Sequence, residues 1–422
     1  MKHRPLRPWL VWGAGVAVYV MAVAHRSSFG IAGLDAADRF GVPATVLSLF
    51  AVLQLGTYAL MQLPMGMALD AFGPRWLLAF GALLMAAGQV GMAFTPDVGT
   101  AIAVRAVLGC GDAAVFISVL RLVWGWFDAR HVPVMTQLTG LLGQLGQVVS
   151  AVPFAVALGR FGWAAAFTAM AVLGVVTAAG ALAGVRPGPY EPPRARRGPT
   201  GLRATVTSPG TWLGFFAHLL GGVSINTFVL MWGVPFLVQG QGLSTGQAGA
   251  LLSLSVGVSV IAGPLVGLFT ARHPARRTWA TLGVTALVVA GWALVLVPAT
   301  PRPLWVLALF TLLISVGGPT ALIGMDLAAS FNPPDRRGTA QGVANMGGFA
   351  SAVAAMLVIG VVLDARTGGG TPTLADYRAA LAVILVPLAA GVVGLVVARR
   401  RTRLASGITV PPLREAWARR GS

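Results

Sequence analysis

Twelve long apolar runs follow one another along this chain, separated by short polar turns. They are Trp9–Leu34, Ala44–Leu69, Trp76–Phe94, Thr100–Trp124, Val132–Leu158, Trp163–Val185, Trp212–Val238, Ala248–Thr270, Thr278–Val297, Leu304–Ala329, Thr339–Leu363 and Tyr377–Val397. A helix rises about 1.5 Å per residue, so roughly 20 residues cross a hydrocarbon core of about 30 Å. A water-soluble domain needs about a quarter of its residues charged. Here only 10% of the 422 residues are charged and 56% are hydrophobic, so much of the surface must face lipid. The expected fold is an all-α integral membrane protein of twelve transmembrane helices. The basic start followed by Trp9–Leu34 mimics a secretory signal, but the run is too long for one and eleven more follow.

The formal net charge of +18 would suggest nucleic acid in a soluble protein, and its distribution argues against that partner. An even number of spans puts both termini on one side. That side collects 22 basic residues, including Lys2, Arg4, Arg7, Arg75, Arg130, Arg272, Arg276, Arg277, Arg336 and Arg337. The opposite loops hold five: Arg39, Arg160, Arg302, Arg366 and Arg378. The positive-inside rule makes the first side cytoplasmic, and the expected location is the inner membrane of a bacterial cell. Arg26, Arg105 and Arg121 remain inside the spans. A single cysteine, Cys110, excludes an internal disulfide and a cysteine-rich metal site. No metal site or cofactor is expected, and without a G-x-x-x-x-G-K-[ST] loop no ATP hydrolysis is expected either.

The longest polar stretch, 186–210, is rich in Pro and Arg and reads as an extended linker. It divides the chain into a six-helix bundle at 1–185, a second at 211–398 and a basic tail at 399–422. The halves repeat weakly. Phe127, Gln137 and Gly143 line up with Phe331, Gln341 and Gly347, and the turn Gly267–Arg276 lines up with Gly66–Arg75, with Ala271 in place of Asp70.

That turn, Gly66-Met67-Ala68-Leu69-Asp70-Ala71-Phe72-Gly73-Pro74-Arg75, resembles the loop between the second and third helices of the major facilitator superfamily of secondary transporters. It departs from the family at Ala71, where a basic residue is usual. The resemblance covers the whole chain and implies two pseudo-symmetric six-helix bundles that rock about a central site. It also implies a gating role for Gly66, Asp70, Gly73 and Arg75. A carboxylate at position 70 near the start of the eleventh helix, around Thr339, would favour that helix dipole and latch the halves together.

Ionisable residues within spans mark a pathway by default. Arg105, Gly109, Asp112 and Phe116 share one face of the fourth helix, and Arg26 lies between Arg105 and Asp112 in depth, within reach of Asp112 if the first and fourth helices face one cavity. Arg26-Ser27-Ser28-Phe29 with Gln62-Leu63-Pro64-Met65-Gly66 resembles the anion:cation symporter branch, in which a first-helix arginine engages the substrate's oxyanion. A guanidinium suits this task because its fork matches an oxyanion and stays charged. The other reading of Arg26 is an ion pair closing the outer gate. The branch often has Asp where this chain has His25; if that Asp carries the coupling proton there, His25 or Asp112 replaces it here or coupling differs, and Arg105, in a run resembling a common fourth-helix motif, is a third candidate or a packing residue. For His25, as for His218, a hydrogen-bonded packing histidine is the bland reading. Gln144 and Gln147 offer donors from the fifth helix, whose Gly140, Gly143 and Gly146 suit close packing. Asn226 sits at the position pseudo-symmetric to His25. The substrate set is thus Arg26, His25, Tyr58, Gln144, Gln147 and Asn226. Asp326 is expected to pair with a loop arginine or with Arg121.

The second half has no buried arginine to match Arg26, which favours a singly charged, monocarboxylate-like anion over a phosphate. The expected activity is proton-coupled symport by a monomer, not catalysis. Proton antiport of drugs is the alternative, weakened because Pro153 lacks the Gly-Pro…Gly-Gly context of the antiporters. A membrane sensor that binds a ligand without moving it is the alternative of another class.

Overall fold

A computed structural model describes residues 7–41, 44–190, 200–368 and 370–407. Lys2, Arg4, the arginines at 194, 196 and 197, and those at 414, 419 and 420 lie outside the described residues, as do parts of the expected linker and tail. The described chain is helical throughout, as it must be where no water is present to satisfy backbone N–H and C=O groups.

Ten helices among the described residues are long and apolar enough to cross a membrane. One of them, Val132–Gly184, has 53 residues, about twice a bilayer's need. It breaks at Gly162, whose φ of 80° only glycine adopts without strain. It is therefore two spans, and with the 29-residue helix Ala44–Phe72 the count reaches twelve. We number them α1 (Arg7–Ile31), α2 (Ala44–Phe72), α3 (Pro74–Phe94), α4 (Val98–Trp126), α5 (132–161), α6 (163–184), α7 (Pro209–Gly240), α8 (Thr245–Arg272), α9 (Pro274–Leu296), α10 (Leu304–Ser330), α11 (Pro334–Thr367) and α12 (Leu374–Ser406). The end of the bundle from which α1 starts and at which α12 finishes is called the terminal face below.

Two boundaries differ from the expectation. Residues Thr200–Val206, in the stretch read as an extended linker, form a short helix. The last span runs on to Ser406, eight residues into the stretch read as tail, before Gly407 ends it at φ 63°. Arginines do not stop a helix, and at its C-terminus they suit the helix dipole. The tenth span is interrupted at Val316, just before Gly317-Gly318-Pro319, between the helical segments Leu304–Ser315 and Gly317–Ser330.

The helix crossings are made by small residues, since lipid offers no hydrophobic drive between helices. A Cβ on Gly81 would lie 2.7 Å from the Gly111 carbonyl oxygen, and one on Gly111 would lie 2.7 Å from that of Gly81, so α3 and α4 touch backbone to backbone. Gly143 and Gly146 seat α5 on the Tyr19 ring and the Val20 carbonyl of α1. A Cβ on Gly221 of α7 would lie 2.4 Å from Ala321 N and 2.7 Å from the Gly317 oxygen of α10. Backbone cannot yield as a side chain can. Gly221→Ala should therefore cost about 1–3 kcal/mol by overpacking, read as a lower melting temperature in detergent; an unchanged melt would mean that α7 and α10 are not so tightly opposed.

The buried apolar side chains gather in two clusters. One extends from Val11 to Val185 and the other from Leu213 to Ala398. The first cluster also takes in Met325, Ala328, Ala340 and Ala344 of α10 and α11. This shared packing lies in the segments of α10 and α11 nearest the terminal face.

Candidate functional site

At mid-depth the structure joins α1 to α4. Arg26 donates through Nε to Asp112 Oδ2 at 2.7 Å and through Nη2 to Oδ1 at 2.9 Å, a two-pronged pair. The Asp112 side chain is 2% exposed, while that of Arg26 is 25% exposed. Asp112 sits midway along α4 and Arg26 one to two turns from the end of α1, with its backbone beside Arg105, so the long arginine side chain reaches inward along α4 to meet the carboxylate. The guanidinium carbon of Arg26 stands 5.3 Å from the centre of the Tyr58 ring of α2. Behind it, Arg105 Nη2 donates to the Arg26 carbonyl at 3.2 Å, and its guanidinium stacks over Phe29 at 4.9 Å. Nε and Nη1 of Arg105 are buried without a partner. Two guanidinium groups thus face one carboxylate, and the site carries a net positive charge.

Tyr58 links this cluster to the other half. Its hydroxyl accepts from Asn345 Nδ2 at 2.8 Å, and its ring lies 4.8 Å from that of Phe349, both on α11. The adjoining Gly348 donates its N–H to His218 Nδ1 at 3.0 Å. Gly348 also touches α7 at Gly222, one turn below Asn226 on the same face, and the half-buried Asn226 therefore stands next to this cluster. Asn345 and Phe349 escaped the sequence reading, which weighed ionisable groups and glutamines. The signal was present, since Asn345 is an amide inside an otherwise small and apolar run, as Asn226 is.

His25 is not brought to Arg26. Adjacent helical residues point about 100° apart. Its Nε2 meets the Met170 carbonyl at 3.1 Å and its ring packs against Gly174, both on α6, with Ala82 and Met85 of α3 close by. Gln147 donates to Gln144 Oε1, so these two amides engage each other on α5. Gln147 is exposed, and neither residue contacts the Arg26 pair by hydrogen bond.

Nearer the terminal face a second polar cluster joins the halves. Asp70, at the end of α2, accepts from Gly338 N at 2.8 Å, Thr339 N at 2.8 Å and Thr339 Oγ1 at 2.6 Å. The regular part of α11 starts at Arg337, so the carboxylate sits on the free N–H groups of a helix N-terminus, where the dipole favours an anion. Arg121 of α4 reaches Asp70 at 3.6 Å and also donates to the Pro334 carbonyl. Asp326, for which a loop arginine or Arg121 was the expected partner, makes no ion pair among the described residues and accepts from Thr136 at 3.0 Å, because α5 packs directly on α10 there. Gln137 donates to the Pro319 carbonyl at 2.8 Å. Gly66 permits the approach: a Cβ there would lie 2.6 Å from the Gly338 oxygen, and one on Gly342 would lie 2.3 Å from that of Gln62. Gly73 turns the chain with φ 80°, and Arg75, in the first turn of α3, has its guanidinium 5.6 Å from the Trp76 ring and makes no ion pair with Asp70 among the described residues.

A family model described as Major Facilitator Superfamily matches residues 15–356. Among curated proteins, the chain is 28% identical to a probable L-galactonate transporter of Escherichia coli over 37% of this chain and 34% of that one. It is 25% identical to a probable sulfoacetate transporter of Cupriavidus necator over 42% and 40%. It is 31% identical to a quinolone resistance transporter of Acinetobacter baumannii over 28% and 27%. The chain spans about half the length, or less, of the curated relatives it matches.

Proposed function

The chain belongs to the Major Facilitator Superfamily, and on that premise we propose that it is a secondary transporter moving a small, singly charged organic anion across a membrane in company with a proton. The observation that carries this reading is the Arg26–Asp112 pair. Nε and Nη2 of Arg26 are committed to Asp112, while Nη1 has no hydrogen bond among the described residues and the side chain is a quarter exposed. With Arg105 behind it, the cluster keeps a positive excess that suits an organic anion, and among the described residues no arginine of the second half joins it, which favours a singly charged one. Two of the relatives are named for galactonate and sulfoacetate, organic anions that carry one and two negative charges, so they support an anion as the class and leave the single charge to the cluster itself.

The pair also supplies a coupling device. While Asp112 is ionised it occupies the fork of Arg26. Protonating Asp112 removes that competitor and frees the guanidinium for a carboxylate, so proton and anion bind together more readily than either alone. Arg105 keeps the local charge positive throughout. Tyr58 and Asn345 connect the site to the second half, and Asn226 offers that half's amide. In this reading the Asp70 cluster holds the terminal face shut while the central site is filled or emptied from the other side, and the halves then rock. Positive-inside counting makes the terminal face cytoplasmic.

The test is a thermal-shift screen of the purified protein against small carboxylates, sulfonates, cations and neutral drugs. A ligand that binds only the native state raises its melting temperature by mass action, by about 2.7 kcal/mol of stability at a hundredfold excess over Kd. Stabilisation by monoanions, growing as pH falls through the range where Asp112 takes its proton, is the expected result. Stabilisation by cationic or neutral compounds alone would move the assignment to drug export, the activity for which the quinolone relative is named.

A further inference from the structure

The last turns of α12 read Val396-Val397-Ala398-Arg399-Arg400-Arg401-Thr402-Arg403-Leu404. At helical spacing, residues 396, 399, 400, 403 and 404 share one face. Over this face the structure leaves an open space of about 310 Å³, bounded on α12 alone by the hydrocarbon parts of Val396, Arg399, Arg400, Arg403 and Leu404. The guanidinium of Arg399 lies 4.7 Å from the centre of the Trp279 ring on α9, and its Nε is buried without a hydrogen-bond partner. No ion pair among the described residues engages any of the three arginines. The helix dipole and the positive-inside bias account for cations near this end. Neither explains why three share one helix face with no carboxylate among the described residues against them.

The rim is apolar: Leu404 is 76% exposed, Trp279 55% and Val396 48%. In water such a rim would be a liability, whereas at the edge of a bilayer a tryptophan and aliphatic side chains are in their preferred place. We propose that this arginine face at the end of α12, with Trp279 of α9 beside Arg399, binds the phosphodiester headgroup of an anionic membrane lipid. The guanidinium groups of Arg399, Arg400 and Arg403 take the phosphate oxygens, Trp279 holds Arg399 in position, and Val396 receives the first methylenes of an acyl chain. Charge complementarity selects an anionic headgroup over a zwitterionic one, and the apolar wall selects a lipid over free phosphate. The site stands apart from the Arg26 cluster and does not depend on the transport reading.

The experiment is native mass spectrometry of the full chain titrated with phosphatidylglycerol, phosphatidylcholine and sn-glycerol 3-phosphate. The wild type should retain phosphatidylglycerol selectively, with affinity falling roughly fivefold for each arginine removed and about a hundredfold in the Arg399→Gln/Arg400→Gln/Arg403→Gln variant. If the triple variant does not fold, Arg403→Gln alone supplies the fivefold step. A control, Arg130→Gln/Arg272→Gln, removes two exposed cations elsewhere and should leave binding unchanged. Equal retention of phosphatidylcholine, equal binding of glycerol phosphate, unchanged affinity in the arginine variants, or an equal loss in the control would each overturn the proposal.

Discussion

Replacing Arg26 by Gln is expected to abolish transport and to destabilise the protein, and the two losses should separate in a double variant. Arg26 makes both hydrogen bonds to a carboxylate that is itself almost fully buried. Removing one partner of such a pair leaves an uncompensated buried charge, at a cost of about 3–5 kcal/mol. The lower end applies here, because the quarter-exposed Arg26 marks a route by which water can reach Asp112. Adding Asp112→Asn removes the stranded charge, and the Gln–Asn pair can still share a hydrogen bond, so most of the lost stability should return. Transport should not return, since the cation that the anion requires is gone. The measurement pairs a melting curve with uptake into proteoliposomes for wild type, both single variants and the double. Recovery of both stability and uptake in the double variant would reduce Arg26–Asp112 to a structural tie. Loss of uptake in a protein that melts like wild type assigns the pair to substrate.

How much of this was legible in the sequence follows from what each feature depends on. The twelve spans were legible because lipid imposes a length and a composition on every helix, and only the ends moved: α12 continued to Ser406 because arginine is a good helix former and nothing before Gly407 stops it. The Arg26–Asp112 contact was legible because charges inside spans are few and must find one another. Its neighbours were not. His25 and Arg26 are adjacent in sequence, and only the packing of α6 against α1 decides that the imidazole turns to Met170 while the guanidinium turns to Asp112. Asn345 could not be joined to Tyr58 without the crossing of α2 and α11, which Gly66, Gly338 and Gly342 set at backbone contact. Arg121 went to Asp70 rather than to Asp326 for the same reason: partner choice between halves is a property of the interface and has no signature in local spacing.

Asp70→Asn is expected to slow transport at least tenfold while leaving the central site's affinity for its anion nearly intact. Asp70 accepts three hydrogen bonds, two of them from backbone N–H groups at the start of α11, and has Arg121 beside it. An amide keeps one acceptor oxygen and turns its NH₂ toward donors, so at least one charge-assisted bond is lost and the helix N-terminus loses its anion. Hydrogen bonds to charged groups are worth about 1.5–3 kcal/mol each, so about 3 kcal/mol lost from the joined arrangement shifts its population roughly a hundredfold. Asp70 lies twelve residues from Tyr58 along α2, about 18 Å, far enough for the ligand's contacts to be independent of the change. The shift has its own readout. Leu322 packs against Gly140 at the junction of α5 and α10. In a Cys110→Ala background, Leu322→Cys should be shielded from a thiol reagent applied at the terminal face, and Asp70→Asn should speed its alkylation at least tenfold. Faster labelling with slower uptake identifies Asp70 as the element that holds the terminal face shut. Unchanged labelling and unchanged turnover would leave it a helix cap, because a cap that merely stabilises α11 changes the melting temperature without opening a path between the halves.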